Sequence, residues 1–420
     1  MIRQFTTKRD IVSAFANTMN LVSPELQDHH EKVSYLAYRL AEALDMDERH
    51  RVMAFAGGLL HDIGGILKQG GISLSDLEMS AGQVAAVGAS ILKTFPVTSP
   101  LAAVVRESQT PWQRLKSIHA DLKLTHQIGQ IVHLADAVSL LLNDESPVLN
   151  QIGQVQQMIH CDGESEFSPE LLSAFDMLCS REAIWMDMIY RPQFFLDLIT
   201  ENRFITLDET VILTEFMSKV IDFRSPFTAM HSAGVATTAV ALAELVGMSE
   251  DECKMMRIAG YLHDIGKLKI PNEILDKPGK LTDEEFNIMK EHAYYTWIIL
   301  KDVGGFEQIS VWAALHHEKL NGSGYPFHLG ERELSLGSRI MTVADIFSAL
   351  TEERPYRKSM EKERVVTILR EDAQRGLLSG SVADLLIEHY DAINGRRAVE
   401  SKAASKKYQE ILAQKNAQYA

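Results

Sequence analysis

The sequence predicts an all-α protein made of two tandem copies of one helical domain. Three observations carry that prediction. Apolar residues recur at i, i+3/i+4 and i+7 in segment after segment, period-2 alternation is almost absent, and the chain repeats itself at an offset of 202 residues. A length of 420 residues suits two or three domains.

The periodic segments include residues 34–44, 83–93, 209–221 and 361–370. Helix starts are marked by Ser23-Pro24-Glu25 and Ser168-Pro169-Glu170, where Ser precedes a Pro suited to the first helical position. Thr282-Asp283-Glu284-Glu285 reads as a capping box. Three loops stand out, at 69–73, 276–280 and 321–330, and the last is long and Gly-rich.

Residues 29–65 align without a gap on 231–267, with 15 identities in 37 positions. The block ends with His61-Asp62-Ile63-Gly64 over His263-Asp264-Ile265-Gly266. Ile91-Leu92-Lys93 then matches Ile299-Leu300-Lys301, and Ala135-Asp136 matches Ala344-Asp345. These anchors predict a first domain over 1–200, a second over 201–395 and a polar tail over 396–420, either a polar helix or a frayed end.

Charge and cysteine usage narrow the function. The chain carries 57 acidic and 42 basic residues, a net charge of −15, which disfavours DNA or RNA as a partner. A small phosphorylated ligand needs only one local positive site or a metal. Cys161, Cys179 and Cys253 are scattered and odd in number, as expected of free thiols in a reducing compartment. No apolar run approaches the ~18–20 residues that cross a bilayer, and the N-terminus has no signal-like apolar core. A cytoplasmic protein without a membrane partner is the expectation.

The second copy concentrates the chemistry. His231 opens the apolar stripe Val235, Leu242, Leu245 and so faces a core. His263-Asp264 closes a buried helical run, and His292, His316-His317 and Asp345 follow on separate helical segments. Five histidines and two aspartates need buried partners, which shared divalent ions supply. Mixed imidazole and carboxylate donors suit iron or manganese, with nickel or zinc also compatible, and seven donors exceed one tetrahedral ion.

His263-Asp264-Ile265-Gly266-Lys267, HHEKLNGSGYP at 316–326 and VADIFSALTEERPYR at 343–357 together resemble an HD-GYP phosphodiesterase over about 201–390. The resemblance implies a two-metal, all-helical enzyme that opens a cyclic dinucleotide to a linear 5′-phosphorylated product. It implies that Asp264 bridges the ions, with His231, His263 and Asp345 on one side and His292, His316 and His317 on the other. A bridging water would be the nucleophile. Lys267 would hold the scissile phosphate, Arg354 and Arg357 would contact substrate, and Gly322, Gly324, Tyr325 and Pro326 would form the named loop, as a rigid turn or a substrate contact. A cyclase domain docking on that loop is the partner the family suggests. Phe227 stands where three-metal members carry Glu, and Asn321 where Asp is usual.

The first copy keeps His29, His61, Asp62 and Asp136, the minimal pattern of a one-metal HD site, with His29 preferred over His30 by the ungapped repeat. Val84 maps onto His292, Arg106-Glu107 onto His316-His317, and Gly65 onto Lys267. This copy is either a degenerate supporting domain or a 5′-nucleotidase for the linear product. His119, His126 and His133 are expected to be packing or surface residues. The tandem arrangement resembles bacterial 3′3′-cGAMP-specific phosphodiesterases. The alternative function is a catalytically silent cyclic dinucleotide receptor.

Overall fold

The computed structural model describes residues 4–20, 28–67, 74–118, 123–143, 145–161, 163–190, 204–222, 228–353 and 358–419. Among these, the chain is helical apart from two short strands. No helix among them is long and apolar enough to cross a membrane. The chain forms two units. One is Met1–Thr18 with Arg203–Glu410; the other is Met19–Asn202 with the last ten residues.

The expected division at residue 200 therefore differs at the N-terminus. Strand β1 (Gln4–Thr7) pairs antiparallel with β2 (Phe204–Thr206), which ties the N-terminal segment to the later unit. The helix Lys8–Asn20 follows β1, and its Phe15 stacks on Phe216 at 5.9 Å, while Phe5 meets Phe306 at 6.2 Å. Four residues of strand are too few for alternation to register in sequence.

The segment 396–419 takes the polar-helix alternative, although its helix begins earlier. It continues the helix Tyr390–Tyr419, and Arg397 within it is only 5% exposed. Its arginines divide: Arg397 donates inward to the Thr351 carbonyl at 3.2 Å, and the exposed Arg396 pairs with Glu244 at 2.8 Å.

Capping follows the sequence signals where they are described. Ser168 accepts from the Leu171 amide, and Thr282 makes both bonds of its capping box with Glu285. Ser249 does the same with Glu252. Ser23 and the loop 69–73 lie outside the described residues.

The repeat reappears as shared packing. A Cβ on Gly58 would strike the Ser34 backbone, and one on Gly260 the Ala236 backbone, 202 residues on in each case. Glycine lets the two helices of each pair touch there. Asp45 and Gly247 take positive φ at the same turn. Gly64 packs on the Val84 carbonyl as Gly266 packs on that of His292, so Val84 stands in the place of His292. Because a methyl group at 266 would overlap that carbonyl, Gly266→Ala is expected to cost about 3 kcal/mol in urea unfolding. A loss under 1 kcal/mol would refute this tight approach.

Candidate metal centre

The later unit delivers the site residues from three helices and two helix ends. His231 lies in the helix Thr228–Leu245, and His263-Asp264 at the end of Glu250–Leu262. His292 lies in Asp283–Leu300, His316-His317 just past Glu307–Ala314, and Asp345 in Leu336–Thr351. All but His317 are at least nine-tenths buried.

Three imidazoles share one arrangement. Nδ1 of His263 lies 2.8 Å from the Gly260 carbonyl, that of His292 2.6 Å from Met289, and that of His316 2.6 Å from Ala313. A carbonyl only accepts, so Nδ1 carries the proton and Nε2 presents its lone pair inward. Those lone pairs converge. Nε2 of His292 and His316 lie 3.4 Å apart, and both flank Asp264 Oδ1, at 3.5 and 3.8 Å. Oδ2 of the same carboxylate faces His263 Nε2 at 3.2 Å and His231 Nε2 at 3.9 Å. His231 Nε2 also lies 3.1 Å from Asp345 Oδ1, and His317 Nδ1 lies 3.8 Å from Asp345 Oδ2.

This donor set fits cations. His263 Nε2 and Asp264 Oδ1 are buried without a hydrogen bond. Lone pairs facing one another and two carboxylates are costly unless positive charge sits between them. Burial pushes His292 down to about 4 and His316 to about 3, and lowers His317 well below its usual value, so these rings stay neutral. Burial opposes charge at Asp264 too, but His263 and Lys267 hold its carboxyl well below the usual range. At His231 burial is overcome by Glu352 and Asp345, which push the ring up to about 10. That corner calls for positive charge, from a proton or a metal ion. Imidazole and carboxylate donors suit first-row transition metals.

Lys267 Nζ sits 2.6 Å from Asp264 Oδ2. Tyr325 stacks near His317, with ring centroids 4.8 Å apart. Gly324 packs directly on the Glu318–Lys319 backbone, and the buried Glu318 carboxylate accepts from the Phe327 and Leu329 amides at 2.7 and 3.1 Å. The loop through Gly322, Gly324, Tyr325 and Pro326 is thereby anchored beside the His316-His317 pair. Asn321 Oδ1 accepts from the Ser323 amide at 3.1 Å, a bond that Asp would make equally well. Arg354, Arg357 and Phe227 lie outside the described residues. Glu352, which sequence reasoning missed, is 5% exposed and meets His231 Nδ1 at 3.0 Å. Its signal was its place seven residues after Asp345, on the same helical face.

The earlier unit gathers His29, His61, Asp62 and Asp136. His29 Nε2 lies 3.3 Å from Asp136 Oδ1 and 3.7 Å from Asp62 Oδ2, and His61 Nε2 lies 3.0 Å from Asp62 Oδ2. His61 Nδ1 again donates to a carbonyl three residues back, Gly58, at 2.7 Å. His29 Nδ1 meets a hydroxyl, Ser139 Oγ, at 3.0 Å. A cavity of about 210 Å³ opens beside Asp62 and Asp136, lined also by Gln109 and His133. His133 therefore lines this cavity while also packing on Phe167, whereas His126 accepts from the Lys123 amide and His119 is outside the described residues.

His30 is fully buried with both ring nitrogens unpartnered, and burial pushes it down to about 3. Below pH ~6.5 the unfolded chain takes up a proton that the folded chain refuses, so stability falls with pH from there toward 3. His30→Phe is expected to remove about 2 kcal/mol of that loss at pH 5 relative to pH 8, read by urea unfolding. An identical pH dependence in the two proteins would contradict it.

Two predominantly helical units, each with a His–Asp pair meeting at least one further histidine and a distant aspartate, define a metal-dependent phosphohydrolase arrangement. HD domain models match residues 26–141 and 215–382. The chain is 31% identical over 397 residues to 3′3′-cGAMP-specific phosphodiesterase 1 of Vibrio cholerae, covering 91% of each chain. It is 38% identical over 164 residues to the cyclic di-GMP phosphodiesterase response regulator RpfG of Xanthomonas campestris, covering 39% of this chain and 43% of that one. The solved structure of the V. cholerae cyclic GMP-AMP-specific phosphodiesterase V-cGAP3 shares the fold, with a TM-score of 0.62 at 22% identity over 92% of this chain and 98% of that one. The chain belongs to the HD-domain cyclic dinucleotide phosphodiesterases.

Proposed function

We propose that the later unit opens a cyclic dinucleotide, 3′3′-cGAMP or cyclic di-GMP, to a linear 5′-phosphorylated product, and that His231, His263, Asp264, His292, His316, His317 and Asp345 hold two divalent ions for this step. The observation that carries the reading is the convergence of Nε2 lone pairs on an Asp264 carboxylate with an unpaired oxygen. Bound iron or manganese ions would supply charge for the phosphodiester oxygens and lower the pKa of an attacking water. In this reading Asp264 spans both halves of the site through its two oxygens. Lys267, now on Asp264, would turn its ammonium to the scissile phosphate and offset the charge that develops there. Tyr325 and the anchored loop would shape the entrance next to His317. Arg354 and Arg357 are the proposed contacts to substrate phosphates or bases. The free thiols Cys161, Cys179 and Cys253 suit a cytoplasmic setting.

The test is product analysis. Protein loaded with Mn(II) or Fe(II) is mixed separately with 3′3′-cGAMP and cyclic di-GMP, and the nucleotides are separated over time. A linear 5′-phosphorylated dinucleotide from one ring supports the reading and names the substrate. Intact rings under both metals, with tight binding, would favour the receptor alternative.

A second reading concerns the earlier unit. Its four-residue cluster beside a cavity of about 210 Å³ favours one ion and removal of the 5′-phosphate from the linear product. Gln109, which donates to Asp136 Oδ2 at 2.6 Å, would keep that carboxylate turned toward His29 and His61.

A further inference from the structure

We propose that Glu352, backed by Arg397 of the C-terminal helix, is the positioning residue that sets the tautomer and orientation of His231 and so the affinity of the later unit for its cation. The proposal rests on the metal-site reading above, and it assigns a role to residues outside the donor set.

The geometry is specific. Glu352 Oε2 faces His231 Nδ1 at 3.0 Å. A carboxylate only accepts, so it fixes the proton on Nδ1 and leaves the Nε2 lone pair for the side that holds Asp345 and Asp264. The other oxygen, Oε1, faces Arg397 Nη1 at 3.7 Å. Arg397 is held in turn by the Thr351 carbonyl at 3.2 Å and by Asn394 Oδ1 at 3.0 Å. A second tie from the same helix, Ser401 Oγ to the Met230 carbonyl at 3.2 Å, fixes the residue next to His231.

Room for this arrangement comes from Gly234, one turn after His231. A Cβ there would lie 2.6 Å from Glu352 Oε1, 2.9 Å from Ser401 Oγ and 3.4 Å from Arg397 Cγ. The repeat places Lys32 at the equivalent position of the first copy, and there the histidine Nδ1 meets the neutral Ser139 hydroxyl. A carboxylate behind the imidazole makes Nε2 a stronger donor than a hydroxyl does. The two units therefore differ behind their first histidine as well as in front of it.

The experiment is a chelator titration of the full chain loaded with Mn(II), with retained metal read by elemental analysis. Glu352→Gln keeps the size and an acceptor oxygen but loses the charge. It is expected to release metal from the later unit at roughly tenfold to a hundredfold lower chelator concentration than wild type. Arg397→Gln is expected to shift release in the same direction by less. Release curves for Glu352→Gln that coincide with wild type would overturn the proposal. If Glu352→Gln does not melt cooperatively, Arg397→Gln decides, and unchanged release overturns it. A wild-type chain that takes up no Mn(II) would overturn the metal-site reading and this proposal together.

Discussion

Ring opening is expected to fall by about three orders of magnitude or more in Asp264→Asn, with little change in fold. The substitution preserves shape but alters charge at the one group that faces both halves of the cluster. Oδ1 lies between His292 and His316, and Oδ2 between His263, Lys267 and His231. An amide would remove the negative charge that faces Lys267 and would turn either N–H donors or a neutral carbonyl on the inward Nε2 atoms. Metal content should fall along with turnover, since both follow from the same carboxylate. Rates come from separating cyclic and linear nucleotides, and metal from elemental analysis of the purified variant. Turnover within tenfold of wild type would remove Asp264 from the centre of the mechanism and the metal reading with it.

Asp62→Asn should separate the two units. Asp62 lies 3.0 Å from His61 and 3.7 Å from His29, and its unit contains none of the residues proposed for ring opening. Cyclic substrate should disappear at the wild-type rate. Release of inorganic phosphate from the linear 5′-phosphorylated product should drop by about a hundredfold or more, because one of four donors to a single ion is lost. Phosphate release at the wild-type rate would leave the earlier unit a supporting domain. Parallel loss of both steps would mean that the units do not act independently.

Much of this was legible in sequence because helical periodicity and a gapless repeat are local signals. The alignment of His61-Asp62 on His263-Asp264 survives as matching helix ends, and Gly58 and Gly260 serve one purpose in both copies. Other features were hidden for physical reasons. Strand Gln4–Thr7 is defined by a partner far along the chain, which no window of sequence contains. Glu352 and Arg397 look like surface charges, because a lone Glu or Arg usually is one. Their burial depends on Gly234 and on a helix docking from the far end of the unit. The seven-residue spacing of His133 marks only a packing or surface residue, and the cavity it lines with Gln109 exists only once separate segments of the chain meet.

The pairing of Gln4–Thr7 with Phe204–Thr206 bears on how the protein is made. Some 200 residues separate the two strands, so at about 5–20 residues per second the ribosome needs roughly 10–40 s between them. Over that interval strand Gln4–Thr7 lacks its sheet partner, while most of the unit encoded between the strands has already been made. The seven-residue cluster gains its backing only when Arg397 and Ser401 arrive behind His231. Order of synthesis thus gives residues 19–202 a head start, while the unit that flanks them in sequence waits for its second strand.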